Sequence, residues 1–163
     1  VACGLGSIGV NGELLTPQFG PRQRLQVILS DAPLEPDPVY EGEVCDRCMA
    51  CAYSCPLDAV SVDEFRELTI AGKTMQVAEI DYDLCRECEN GACTNRYNPN
   101  GKPNRLGAVC NRTCVDALEA RGCVENTFEN PFRTRRPWGI SRLGESVDIP
   151  VEPMTEQVEG EEE

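Results

Sequence analysis

Cys45-Asp-Arg-Cys48-Met-Ala-Cys51-Ala-Tyr-Ser-Cys55-Pro56 packs four thiols into one short run. The spacing C-x2-C-x2-C-x3-C-P is the one by which bacterial chains hold [4Fe-4S] clusters. Two-residue gaps let three thiolates converge on one cubane, while the fourth, three residues on, points away toward a second. Pro56 ends the local helical turn and leads the chain away. The chemistry of such a site is one-electron storage and transfer. Two blander readings compete with it. Four-thiolate zinc sites usually present two separated C-x2-C knuckles. Disulfides between cysteines this close rarely bridge comfortably, the count of 11 is odd, and a disulfide scaffold is normally a shorter secreted chain. With no histidine, His-ligated zinc, haem or copper is excluded within this chain. Clusters imply assembly under reducing conditions.

A second cluster needs a second ligand run, the fourth cysteine of each run crossing to the other cluster. Here the repeat is interrupted. Cys85-Arg-Glu-Cys88 supplies its start and Cys110-Asn-Arg-Thr-Cys114 its end, with Val115 where a proline is expected. The first cluster is therefore assigned to Cys45, Cys48, Cys51 and Cys114, the second to Cys85, Cys88, Cys110 and Cys55. Cys93 competes with Cys110, because Cys85-x2-Cys88-x4-Cys93 is itself a compact trio; the x3 step to Cys114 favours Cys110. Cys93 is then a spare thiol near the cluster. Cys3 and Cys123 lack partner spacing and read as small buried hydrophobes.

Composition limits what surrounds these ligands. Of 163 residues only 40% are apolar, with 12 prolines and 14 glycines, so the core is modest and loop-rich and metal would supply much of the cohesion. A net charge of -13 argues against nucleic acid and against an anionic membrane surface, and favours a basic protein partner. No apolar run approaches the ~18 residues of a transmembrane segment. The chain begins at Val1 without a start methionine, a basic n-region or a twin-arginine signal, which points to a processed chain or a piece of a longer one.

The elements that must position the cysteines follow from local pattern. Leu25-Gln-Val-Ile-Leu29 reads as a short buried strand, and Asp31–Pro38 as a stiff extended connector. Ala59–Val62 is a strand; Leu68–Ile70 and Met75–Val77 flank Ala71-Gly72-Lys73-Thr74, a hairpin turn, giving a small antiparallel sheet. Asn95–Asn104 is turn chemistry throughout. Apolar residues and cysteines fall at helical spacing from Ala108 to Arg121, and Gly122 is a C-terminal stop. Arg133-Thr-Arg135-Arg136-Pro-Trp138 is the basic patch, read as a solvated loop with Trp138 against the domain surface. The acidic tail 151–163 is expected to be disordered or draped over a partner.

The opening glycines carry one more signal. Gly4, Gly6, Gly9 and Gly12 lack the preceding strand that a dinucleotide fingerprint needs, and read as close backbone approach or tight turns. In full, Gly4-Leu-Gly6-Ser-Ile-Gly9-Val-Asn11-Gly12-Glu-Leu-Leu-Thr16-Pro17-Gln-Phe-Gly20-Pro-Arg22-Gln-Arg, followed by the Pro-rich connector and the cysteine run, resembles the cobalamin-dependent reductases, comprising the reductive dehalogenases and epoxyqueuosine reductases. Glu13 stands where that pattern commonly has leucine. The likeness covers residues 2 to about 115. It implies an α+β fold: a loop-rich, ferredoxin-like dicluster domain at 41–125, preceded at 1–40 by a segment of a nitroreductase-like corrinoid-binding core and followed by an extension at 126–163. It further implies two [4Fe-4S] clusters passing electrons to cobalamin, with Gly4, Gly6, Gly9, Asn11, Gly12, Thr16 and Pro17 at the corrinoid. The family's catalytic residues precede this segment, so no catalytic residue is assigned. Partners would be an upstream corrinoid-binding domain or subunit and an electron-donor protein, in the cytoplasm, or outside the membrane if a twin-arginine signal lies upstream. The alternatives are a stand-alone dicluster ferredoxin and a zinc-stabilised interaction module.

Overall fold

Ala71 and Gly72 both take left-handed backbone, φ 51° and 83°. Two such residues in a row form the two-residue loop whose twist suits a right-handed hairpin. The strands on either side are the longest in a computed structural model that describes residues 1–127 and 138–149. Counting in chain order, β1 (Ser7–Ile8) and β2 (Leu14–Leu15) form a first small hairpin, and α1 (Ala50–Tyr53) follows within the cysteine run. Next come β3 (Val60–Ile70) and β4 (Lys73–Ile80), α2 (Tyr82–Arg86), α3 (Val109–Ala120), and a last hairpin, β5 (Trp138–Ile140) and β6 (Ser146–Asp148). Each sheet has two antiparallel strands. The architecture is α+β and loop-rich.

β3 and β4 pair from Ile70↔Lys73 to Phe65↔Ala78, then slip before Val60↔Ile80. The hairpin meets the core on both sides of this slip. Its tip is exposed, whereas Val60, Met75, Val77 and Ala78 are buried. The Ala78 amide donates to Val10 O at 2.9 Å, stitching the N-terminal segment along β4.

α3 ends by backbone geometry. Gly122 is left-handed at φ 64°, its amide donates to Glu119 O (3.1 Å), and the Cys123 amide reaches back to Leu118 O (2.9 Å). This pair of bonds is a Schellman cap, completed by packing of Cys123 against Leu118. At the other end the Val109 amide donates to Asn90 O, 2.9 Å. α2 starts on Asp81, whose side chain accepts from the amides of Asp83 and Leu84.

The interior is divided among small clusters. Val10, Ala52, Val60 and Ala78 form one; Leu15, Val44, Leu118 and Val124 another. Two more are built largely around sulfur: Cys51, Ala108 and Cys110, and Leu57, Ala59 and Cys85. The N-terminal residues thus pack with the cysteine region. The closing hairpin docks through Asn90, whose side-chain amide donates to Ile140 O (2.8 Å) while Arg142 donates to Leu57 O.

One expected element is absent. Leu25–Leu29 is not a buried strand: Val27 and Ile28 are 86% exposed and Leu29 93%. A strand needs a ladder partner, and among the described residues nothing pairs with this one. The connector that follows is extended and exposed. Cys3 is exposed as well, so it is not a buried hydrophobe, while Cys123 is partly buried. Trp138 is 38% exposed; the arginines before it and the acidic tail lie outside the described residues.

Candidate functional site

α1 is a single turn that lifts Cys51 into the core, where Ala50, Cys51 and Ala52 are buried. The loop leading to it is bent by Arg47 (φ 60°) and Met49 (φ 57°), left-handed residues on either side of Cys48. Left-handed backbone at non-glycine residues costs roughly 1 kcal/mol each. Here it shapes the run between Cys45 and Cys51. After α1, Cys55 sits at the turn before Pro56, and the Ala59 amide donates to its sulfur at 3.3 Å. The Val10 amide donates to Cys45 Sγ (3.5 Å) and that of Asn90 to Cys88 Sγ (3.3 Å). Amide donors aimed at sulfur favour thiolate.

α3 brings two more of the sequence-predicted cysteines. Cys110 and Cys114 are one turn apart on the helix, and α1 packs against it. The electrostatic neighbours of each thiol separate into two groups. Burial pushes Cys114 well above the usual thiol range, with Cys51, Cys45 and Cys48 as the next contributors. Burial raises Cys51 too, aided by Cys110, Cys45 and Cys48, and it raises Cys45, where backbone donors oppose it. On the other side, burial pushes Cys85 up to about 11, with Cys55 and Cys88 as thiol neighbours, and Cys110 up to about 12, with Cys55 and Cys85. Cys110 joins the groups, since it also acts on Cys51 and Cys114.

Cys55, Cys85, Cys88 and Cys110 line one small cavity of about 20 Å³, walled by Leu57, Val60, Ala108 and Arg105. Cys93 does not line it. That residue is exposed on the polar loop and pairs by its backbone with Asn104. All 11 cysteines are free thiols. Among the described residues no three Cys, Asp or Glu side chains converge to the spacing that a single metal ion requires.

The residues implied at a corrinoid lie mostly against the chain itself. A Cβ on Gly6 would fall 2.0 Å from Leu15 O, one on Gly4 2.4 Å from Pro38 O, and one on Gly9 2.7 Å from Leu15 Cδ1. Gly12 takes φ 73° beside Ile80 and Val77. Thr16 is buried, its hydroxyl accepting from the Phe19 amide (3.2 Å), and Pro17 O accepts from Glu125 N (2.9 Å). The Asn11 side chain is 1% exposed and donates to Asn111 Oδ1 at 2.9 Å. A groove of about 260 Å³ runs between this segment and the polar loop, lined by Glu13, Gln23, Arg24 and Arg105 among others.

Two arginines accompany the thiols, and neither is marked by any motif. Arg105, 4% exposed, donates through Nη2 to Asn11 O (2.7 Å) and pairs with Glu13 Oε1 (2.7 Å). Burial opposes its charge, but Glu13, Cys110 and Cys85 outweigh burial and raise its affinity for the proton. Arg121, at the end of α3, pairs with Asp46 at 3.0 Å. There too burial opposes the charge, and Cys48 and Asp46 outweigh it. Among the described residues no helix is long and apolar enough to cross a membrane.

No family model matches the chain, and no solved structure matches it either. Curated proteins do. A tetrachloroethene reductive dehalogenase of Desulfitobacterium hafniense is 35% identical over 120 residues, 71% of this chain and 22% of that protein. One from Dehalobacter restrictus is also 35% identical, with the same coverage. Another, from Sulfurospirillum multivorans, is 41% identical over 64 residues, 37% of this chain and 13% of that protein. The chain therefore spans about a fifth of the length of the relatives it matches over most of its own. Across that shared part it is a homologue of the tetrachloroethene reductive dehalogenases.

Proposed function

We propose that this chain is the electron-transfer part of a reductive-dehalogenase-like oxidoreductase, holding two [4Fe-4S] clusters on crossed ligand sets. Cys45, Cys48, Cys51 and Cys114 would hold one, and Cys55, Cys85, Cys88 and Cys110 the other. The carrying observation is the cavity at which Cys55, Cys85, Cys88 and Cys110 meet from three separate segments. The thiol spacing supports a multi-atom group over a single zinc ion, whose ~2.3 Å bonds need sulfurs drawn much closer together. Clusters bound there would supply one-electron storage at two adjacent points.

The chain's own residues then have definite tasks. The amides of Val10, Ala59 and Asn90 offset thiolate charge. Leu57, Val60, Ala108 and Val109 keep water from the second site. Cys51 and Cys110, packed in one cluster between α1 and α3, link the two sets. Residues 4–25 would close against a corrinoid-bearing core, as the resemblance implies, and that corrinoid would be the electron acceptor. An acidic surface suits a basic electron-donor protein.

Anaerobic reconstitution tests this directly. The protein should be brown and carry about eight iron and eight acid-labile sulfide per chain if both sets fill. Iron near four removes one cluster, and one or two zinc with no visible absorption overturns the reading.

A further inference from the structure

Arg105 is the one strongly basic group on the wall of the second cysteine cavity. It reaches there from a loop of turn residues, held by a closed frame. Its Nη2 donates to Asn11 O, the Asn11 side chain donates to Asn111, and Asn111 Nδ2 returns to Arg105 O at 2.9 Å. Asn11, Asn111 and Arg105 are 1%, 2% and 4% exposed. Within this frame Nη1 is buried and has no hydrogen-bond partner. A buried guanidinium proton without an acceptor is unfavourable unless something fills that place. The guanidinium also lies 5.7 Å from the Tyr82 ring and lines the groove beside residues 13–25, so it stands between cavity and groove.

We propose that Arg105 is a positioning residue that sets the reduction potential of the cluster held by Cys55, Cys85, Cys88 and Cys110, its Nη1 donating to that cluster and its charge favouring the reduced form. This rests on the two-cluster reading. Reduction adds one electron from a one-electron donor, such as dithionite, and leaves one more negative charge with no bond broken. A buried cation lowers the energy of that added charge, and little solvent screens it. Glu13 is the counterweight: it pairs with Arg105 while its own side chain is 33% exposed. Neutralising Glu13 therefore strengthens the field of the arginine, and neutralising Arg105 removes it. The two substitutions should move the potential in opposite directions.

The test is a redox titration of the reconstituted full chain, followed by electron paramagnetic resonance, in wild type, Arg105→Gln, Arg105→Lys and Glu13→Gln. The relevant signal is the one lost in Cys110→Ser. In Arg105→Gln the reduced-to-oxidised ratio of that cluster at fixed potential should fall about tenfold, 59 mV for a one-electron couple. Arg105→Lys should restore most of it, and Glu13→Gln should raise the ratio, while the other cluster moves little. If Arg105→Gln fails to take up iron, Glu13→Gln still decides, since it keeps the guanidinium. Unchanged ratios in filled variants, or equal shifts in both clusters, overturn the proposal. A wild type with well under eight iron overturns the two-cluster reading beneath it.

Discussion

Cys93 and Cys110 are chemically identical and differ only in where the fold puts them. One is exposed on a loop, and the other lines a cavity with three more thiols. Cys110→Ser should therefore lower bound iron toward four per chain, while Cys93→Ser leaves it near eight; iron analysis of the reconstituted variants decides. Asn111→Ala would strand the Asn11 side-chain amide and leave Arg105 O with the Ala108 amide alone, which at ~1–3 kcal/mol for a buried unsatisfied polar group should lower the loaded protein's denaturant midpoint measurably. The thiols are legible in the sequence because ligand spacing is a local property of the chain. Arg105 is not, since Asn104-Arg105-Leu106 carries no pattern and its charge matters through residues distant in sequence, among them 11, 13, 82 and 85. Asn11 stands out only through resemblance, and its observed partner is another side chain of the same protein. Cys3 defeats the usual expectation because burial of a lone cysteine depends on what covers it.

Among the elements, legibility follows locality. The β3–β4 hairpin and α3 are readable because a positive-φ pair and a terminal glycine are encoded in a few adjacent residues. β1–β2 and β5–β6 are not, being strands of two or three residues with too little alternation to show. Leu25–Leu29 misleads for the opposite reason: its pattern is that of a strand, but pairing requires a neighbour no local rule can supply. Two glycines separate conformational from steric demand. Gly122 is left-handed, and a Cβ added there would meet nothing within 4 Å, so Gly122→Ala should cost about 1 kcal/mol, the price of left-handed backbone alone. Gly6→Ala would drive a methyl into Leu15 O and should part β1 from β2, at several times that loss. Chemical denaturation of both variants compares them.

For the molecule as a whole, four small apolar clusters replace one continuous core, and two of them include cysteine sulfur. Such an interior depends on whatever binds its thiols. Stripping the loaded protein with a chelator under oxidising conditions should abolish the cooperative thermal transition seen by circular dichroism; a transition that survives unchanged would mean the cavities need no metal. The net charge of -13 makes a second expectation at this scale: association with a basic electron donor should slow steeply as salt rises, which stopped-flow mixing measures. Neither property is visible in a motif, though composition alone points to both a sparse core and an acidic surface.

The packing of α3 on α1 also sets an order in time. Cys114 follows Cys55 by about 60 residues, a gap that a ribosome working at ~5–20 residues per second crosses in about 3–12 s. Through that interval Cys45, Cys48, Cys51 and Cys55 have been made and the helix that covers them has not. They are then as open to oxygen as cysteines in an unfolded peptide, and a sulfenic acid formed there would condense with a neighbouring thiol, releasing water and leaving a disulfide in place of two free thiols. Oxygen present while the protein is being synthesised should thus harm the yield of intact sites more than the same exposure after folding is complete.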